Sequence, residues 1–225
     1  MYITYWLHYH IVTYDSPAEK PSNGAVSRIE RKTTRALAIL MFQSIDGVVQ
    51  SPSMPDEDPS GGFQHGGWAA PFWSGVMDHV GREAMSQPYD IVFGRKTYDA
   101  FASLWPNVQD EPAADMMNAA RKYVASRGTP KLDWANSKLL SGDIASAIRA
   151  LKEEDGPLLQ VHGSADLIQT LLAHDLIDEY RIWTFPVFLG SGKRLVEDTR
   201  EQLHMSLARF EALANGVSMS IYRRV

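Results

Sequence analysis

Three short apolar runs limit what this chain can fold into: Ala36–Phe42 (ALAILMF), Tyr89–Phe93 (YDIVF) and Leu158–His162 (LLQVH). Each is too short for an ordinary helix and lacks strict polar–apolar alternation. Each therefore reads as a strand buried on both faces. Such strands belong to parallel sheets, whose neighbours are joined by crossovers, usually helices. The sequence between the runs supplies those crossovers. Helices are expected over Ser74–Ser86, Lys96–Ser103, Ile144–Glu154 and Ser164–His174. In the third, Ile144, Ile148 and Leu151 fall at helical spacing; in the fourth, Leu167, Ile168, Leu171 and Leu172 form one apolar face. Further strands are expected at Lys122–Ser126, Lys138–Leu140 and Asp178–Phe185, with a closing hairpin, Leu203–Leu213 and Val217–Arg223, turning at Asn215-Gly216. Alternating strands and helices with an antiparallel finish imply an α/β fold, one mixed sheet covered by helices.

The 225 residues suffice for one such domain or two small ones. Residues 15–35 are polar, with two prolines and a glycine, and read as a linker. Residues 1–35 are accordingly expected to be an N-terminal extension, and residues 36–225 the domain. An extra edge strand at residues 2–13 is the competing reading. A net charge of −5 argues against a broad nucleic-acid or anionic-membrane surface. The chain has no cysteine, which excludes disulfides, thiolate nucleophiles and iron–sulfur clusters. The seven histidines show no metal spacing, so no metal site is expected. No apolar run approaches the length of a membrane-spanning helix. A cytoplasmic setting is expected.

Two strand-to-helix junctions carry the functional signal. Gly94-Arg95-Lys96-Thr97 follows one apolar run and opens a helix; His162-Gly163-Ser164-Ala165-Asp166 follows another and does the same. A helix N-terminus offers free N–H groups and partial positive charge, which suits phosphate. The bland readings are a tight turn for the first and a helix capped by Ser164 for the second. Two such junctions in one sheet suggest a dinucleotide lying across strand ends. No G-x-G-x-x-G fingerprint occurs. Gly190-Ser191-Gly192-Lys193 mimics the tail of a P-loop, but Val187 and Arg194 stand where the motif needs glycine and Ser or Thr. Ser44-Ile45-Asp46-Gly47 follows the first strand, where a carboxylate can orient a substrate or merely form a turn.

Taken in order, the segments SIDGVV (44–49), YDIVFGRKTYDAF (89–101), KYVASR (122–127), VHGSADLIQTLL (161–172) and LIDEYRIWTFPVFLGSGKRL (176–195) resemble the reductase domain of riboflavin-biosynthesis deaminase-reductases, a family similar to dihydrofolate reductase. The resemblance runs from Ala36 to Arg223. It implies a dihydrofolate-reductase-like α/β/α fold with a mixed, mostly parallel eight-stranded sheet and a C-terminal hairpin. It implies NADPH as cofactor. Gly94, Arg95, Thr97, Ser126 and Arg127 would bind the adenosine and 2′-phosphate side. Gly163, Ser164, Ala165 and Asp166, with Leu167 beside them, would sit at the pyrophosphate. Ser44, Asp46 and Gly47 would lie near the nicotinamide and substrate, and Asp46 or Asp78 would give the substrate a carboxylate. The implied reaction is hydride transfer to a phosphoribosylamino-uracil or a related pyrimidine or pterin ring. The implied partner is a small heterocyclic substrate, with a homodimer expected; the apolar run Ile182–Leu189 suits either an interface or the core.

The chain departs from that family in three ways. It lacks the deaminase half, since its H-x-E and P-C-x-x-C motifs are absent; its pyrophosphate loop reads Gly-Ser where many relatives have Gly-Gly; and its loop from Gln50 to Trp73 is long. Trp68, Phe72 and Trp73 on that loop are expected to cover a planar substrate. A reductase is favoured. A dinucleotide-binding module without turnover, acting as sensor or regulator, is the alternative.

Overall fold

The computed structural model describes residues 35–197 and 202–225. The expected N-terminal extension and the alternative strand at 2–13 lie outside the described residues, Arg35 excepted. Eight strands form one sheet: β1 (Leu37–Ser44), β2 (Tyr89–Gly94), β3 (Lys122–Ala125), β4 (Ser137–Leu140), β5 (Leu158–Val161), β6 (Glu179–Phe185), β7 (Met205–Ala212) and β8 (Ser218–Arg224). Their spatial order is β4-β3-β2-β5-β1-β6-β8-β7. The pairings from β4 through β6 are parallel, and β8 and β7 finish the sheet antiparallel. The mixed eight-stranded α/β fold with a C-terminal hairpin is therefore as expected.

Side chains on a strand alternate between faces, and β1 divides the core accordingly. Leu37, Ile39 and Met41 join Val92, Leu159, Ile148 and Ile168 in one layer, while Leu40 and Phe42 join Phe93, Trp183, Val80 and Met117 in the other. The first layer is covered by α4 (Ile144–Glu153) and α5 (Ala165–Ala173). The second is covered by α1 (Trp73–Ala84), α2 (Arg95–Leu104) and α3 (Pro112–Ala119). Both faces are thus helix-covered, which is why the central strands are continuously apolar. Within α1, Ser74 (ψ 121°) and Gly75 (φ 80°) are non-helical, so its regular turns begin at Val76.

Buried charge fastens the sheet at its amino end. Arg35 donates to Asp90 (2.5 Å) and to the Pro157 carbonyl (2.8 Å). On the opposite layer, His79 accepts at Nδ1 from Trp183 Nε1 (3.2 Å), leaving Nε2–H to donate to Glu211 (2.8 Å). Arg209 bridges Glu83 and Glu211. This network ties α1 to β6 and β7. No described helix is long and apolar enough to cross a membrane.

Candidate active site

The strand order inserts β5 between β2 and β1, and the carboxyl ends of these three strands open onto one cleft. Ligands of open α/β sheets bind at such strand ends. Phe42 and Leu40 of β1 and Phe101 of α2 give the cleft an apolar wall, and His162 lies beside them.

The two glycine junctions meet here. β2 and β5 are paired, with Val92 opposite Val161, so the residues after each strand emerge side by side. Gly94 N–H donates to the Gly163 carbonyl (3.1 Å). A Cβ on Gly94 would lie 2.1 Å from Ser164 Oγ and 3.0 Å from Ser164 N. Gly94 has ordinary extended geometry (φ −72°), so close approach of Ser164, not backbone conformation, demands glycine there. Gly163 has φ 126°, and a Cβ on it would meet Thr97 Oγ1 at 2.9 Å. The Gly163–Ser164 peptide is cis. Ser164 is the N-cap of α5, yet its hydroxyl makes no capping bond. The first-turn N–H groups of α5, which have no intrahelical acceptor in any helix, are thus left without a side-chain cap, and such a helix start suits an anion. Thr97, Gly163, Ser164, Ala165 and Asp166 all line the cleft; Asp166 is exposed there. Leu167 is instead buried in the α4–α5 core layer.

Arg95, Ser126 and Arg127 follow β2 and β3, whose register sets Gly94 opposite Ala125. They share one strand-end edge, outside the cleft walls. Arg95 donates to Asp99 (2.6 Å) along α2. Arg127 is exposed, and Ser126 Oγ accepts from Gly128 N–H (3.2 Å).

The expected substrate residues Ser44, Asp46 and Gly47 do not line the cleft. They form a tight turn: Gly47 N–H donates to the Ser44 carbonyl (3.0 Å), and Ser44 Oγ accepts from Val48 N–H (2.9 Å). The Asp46 carboxylate accepts from Ser44 Oγ (2.6 Å), Leu189 N–H (3.2 Å) and Gly190 N–H (2.8 Å). The Ser44 hydroxyl bond, against the cost of burial and with help from those amides, holds its pKa down to about 2. A carboxylate so engaged is a loop anchor, not a proton donor. It secures residues 186–195, which pair antiparallel with the chain after β1 through Val48 and Arg194.

This fold and cleft agree with the similarities of the chain to known proteins. Residues 35–219 match the model of the RibD C-terminal domain. The chain belongs to that family. It is 28% identical over 202 residues to YwjB of Bacillus subtilis strain 168, covering 87% of this chain and 99% of that protein. It is 27% identical over 142 residues to YyaP of the same organism, covering 61% and 75%. Among solved structures it resembles a Shewanella sp. PV-4 protein named for riboflavin biosynthesis (TM-score 0.57, 20% identity, 84% of this chain and 99% of that one). It also resembles Enterococcus faecalis dihydrofolate reductase complexed with NADP(H) (TM-score 0.55, 10% identity, 85% and 98%). At these identities the two structures establish the fold, which is that of dihydrofolate reductase.

Two further expected residues or groups also lie away from the cleft. Asp78 is exposed on the outer side of α1, in a separate hollow with Met77, Arg82 and Trp105, and shares no wall with the cleft. Asp78 lies on α1 opposite its packed face, which is made by Val76, His79 and Val80. Trp68, Phe72 and Trp73 surround Phe185 edge-on at 5.4, 5.8 and 5.7 Å and belong to the core. None of the three lines the cleft, and Trp73 also meets the cleft residue Phe42 edge-on at 5.1 Å.

The cleft also holds polar residues that sequence reasoning passed over. Gln50 donates to the Asp58 and Ser60 carbonyls (2.8 and 2.9 Å) and accepts from Lys193 N–H (2.9 Å). The long loop is therefore a folded, internally bonded unit. Lys193 Nζ donates to Asp58 (2.7 Å), and Lys96 Nζ approaches the same carboxylate (4.0 Å). Burial opposes Asp58 ionisation, but the Lys193 ammonium and the Ser60 bond hold its carboxyl below the usual range. The only advance signal was Lys193 in the rejected P-loop look-alike.

Proposed function

We propose that this chain is a cytoplasmic NADPH-dependent reductase of a heterocyclic substrate, a pyrimidine or pterin ring of the kind reduced in riboflavin biosynthesis. The observation that carries this reading is the interlock of Gly94 with Gly163-Ser164. It opens the α5 N-terminus, with an unengaged serine hydroxyl, onto one cleft. These residues fit a pyrophosphate: no side chain stands at 94 or 163, and Lys96 is held only loosely by Asp58. Gly163, Ser164, Ala165 and Asp166 supply backbone donors, and Thr97 and Ser164 supply hydroxyls. Gly94 acts indirectly, by making room for Ser164. Arg95, Ser126 and Arg127 at the β2–β3 edge serve the 2′-phosphate. The cofactor brings the hydride, and the protein's part is to bind and orient both rings and exclude water. Among the carboxyls lining the cleft, burial pushes the pKa of Glu57 up, and Glu57 accepts from the Ser53 and Met54 N–H groups.

The proposed assembly is a homodimer. Leu207 and Phe210 are 55% and 57% exposed on the edge strand β7, while Trp183 and Phe185 of the apolar run are core. The activity test is NADPH oxidation against a panel of pyrimidine, pterin and flavin-precursor rings. Turnover of at least one ring supports the reading; tight NADPH binding with no turnover of any would favour the non-catalytic module.

A further inference from the structure

From the hydrogen-bond chain beneath the cleft, we infer that His162 presents its Nδ1 lone pair to the cleft and accepts a hydrogen bond from an N–H of a bound heterocycle. The inference rests on the cleft being the ligand site proposed above, and it names a recognition residue and the chemistry it reads.

The chain starts at the Ala84 carbonyl, which ends α1 and accepts from Gln160 Nε2. This bond fixes the Gln160 amide, buried on β5, so its Oε1 is left as an acceptor. Oε1 lies 3.0 Å from His162 Nε2, two residues further along the strand and on the same face. An acceptor there requires Nε2 to carry the proton, because neutral imidazole has one donor and one acceptor nitrogen. Nδ1 is then the acceptor. It has no partner among the described residues. It is not completely buried, since Tyr89 Oη is the one completely buried side-chain polar atom left unpaired among them. His162 lines the cleft, as do Phe101 and Phe42.

The ring is held in place on its other sides. Tyr89 stacks against it at 6.3 Å and 26°, and Phe101 meets it edge-on at 6.1 Å. Burial first, and then the nearby Arg181 guanidinium, push its pKa down to about 4, so the imidazole is neutral at pH 7. A neutral, oriented imidazole in an apolar wall cannot attract an anion. It selects a planar ligand with an N–H at its edge, as lactam and amino-substituted rings have. The same N–H chemistry exists in the carboxamide of a nicotinamide, so two ligands must be tested separately.

The test uses the full chain with ¹⁵N-labelled histidine, and His162→Phe to assign the resonance. At pH 7 the spectra should show His162 neutral with Nε2 protonated. Lumazine, whose only donors are its ring N–H groups, should move the Nδ1 resonance upfield. 1,3-Dimethyllumazine, which has none, should not. NADPH alone, run as a separate arm, reports whether the carboxamide is the donor; a shift in either the lumazine or the NADPH arm supports the acceptor role. His162→Phe, which keeps the aromatic stack, should bind lumazine and its dimethyl form within about twofold of each other, where the parent prefers lumazine. Protonation at Nδ1, an equal upfield shift with both lumazines, or no shift with either lumazine or NADPH would each overturn the inference. Loss of NADPH binding by calorimetry with the lumazine response intact would instead overturn the reductase reading and leave the acceptor standing.

Discussion

Asp46 shows how a residue type in the right place can have another job. The residues alone read Asp46 as a turn former and the resemblance reads it as a substrate carboxylate; in the structure its bonds to Ser44, Leu189 and Gly190 are those of a turn. Asp46→Asn should therefore cost about 1–2 kcal/mol of stability, near one charge-assisted bond, while changing turnover of a validated substrate less than about threefold. The sign with pH follows from its depressed folded pKa, near 2 against an ordinary 3.8. The stabilisation is fully present above pH 4 and is lost as pH falls towards 2. Chemical denaturation of both proteins at pH 7 and pH 2.5 measures this, and a difference that grows on acidification would contradict it. At the β2–β3 edge, Arg127→Ala and Arg95→Ala should each weaken NADPH by about 1–3 kcal/mol, roughly 5- to 150-fold in Kd, with NADH nearly unchanged. Arg95 starts from an exposed pair with Asp99, which is worth little and is readily exchanged. Equal losses for both cofactors in titration would remove these arginines from the 2′-phosphate site. His162 was illegible because its role depends on Gln160 and Ala84, and no local spacing records that partnership.

At the scale of elements, the strands were legible because double-faced burial leaves continuous apolar runs, as in Leu37–Met41 and Ile91–Phe93. Helices α2, α4 and α5 were legible from their apolar stripes. Helix α3 was not foreseen: PAADMMNA is short, and its buried Ala114 and Met117 form too small a stripe to stand out. The loop after β1 read only as long, yet Gln50, Ser51 and Asp58 hold it by bonds between residues seven to ten apart. The junctions were legible as strand–glycine–helix, but the reason for Gly94 was not, because Ser164 is far from it in sequence. Gly94→Ala should cost about 1–3 kcal/mol by overpacking. Adding Ser164→Gly should recover part of that loss, since the two positions are coupled. Denaturation midpoints of the single and double variants test this, and strict additivity would mean that the two junctions do not meet.

For the whole molecule, Arg35 marks where the described domain is fastened, through Asp90 and Pro157. A chain starting at Thr34 should therefore fold, with a melting temperature within about 10 °C of the full chain; a larger loss would place residues 1–33 in the core. The proposed dimer should appear in sedimentation as twice the chain mass, and Leu207→Glu with Phe210→Glu should shift it to monomer. A parent that sediments as monomer would refute that assembly. The family and fold were readable in the order of several segments, whereas the side-chain geometry of the cleft required the assembled sheet. The proposed function requires that a dinucleotide be held where the β2 and β5 junctions interlock. Its most direct test is calorimetric titration of NADPH into the parent and into Gly163→Val, with circular dichroism confirming that both are folded and Gly163→Ala as a milder second variant. The parent should bind at one site per chain, Gly163→Ala more weakly and Gly163→Val not detectably, because a side chain there meets Thr97 and needs an unfavourable backbone. Folded glycine variants that bind NADPH as tightly as the parent would contradict it.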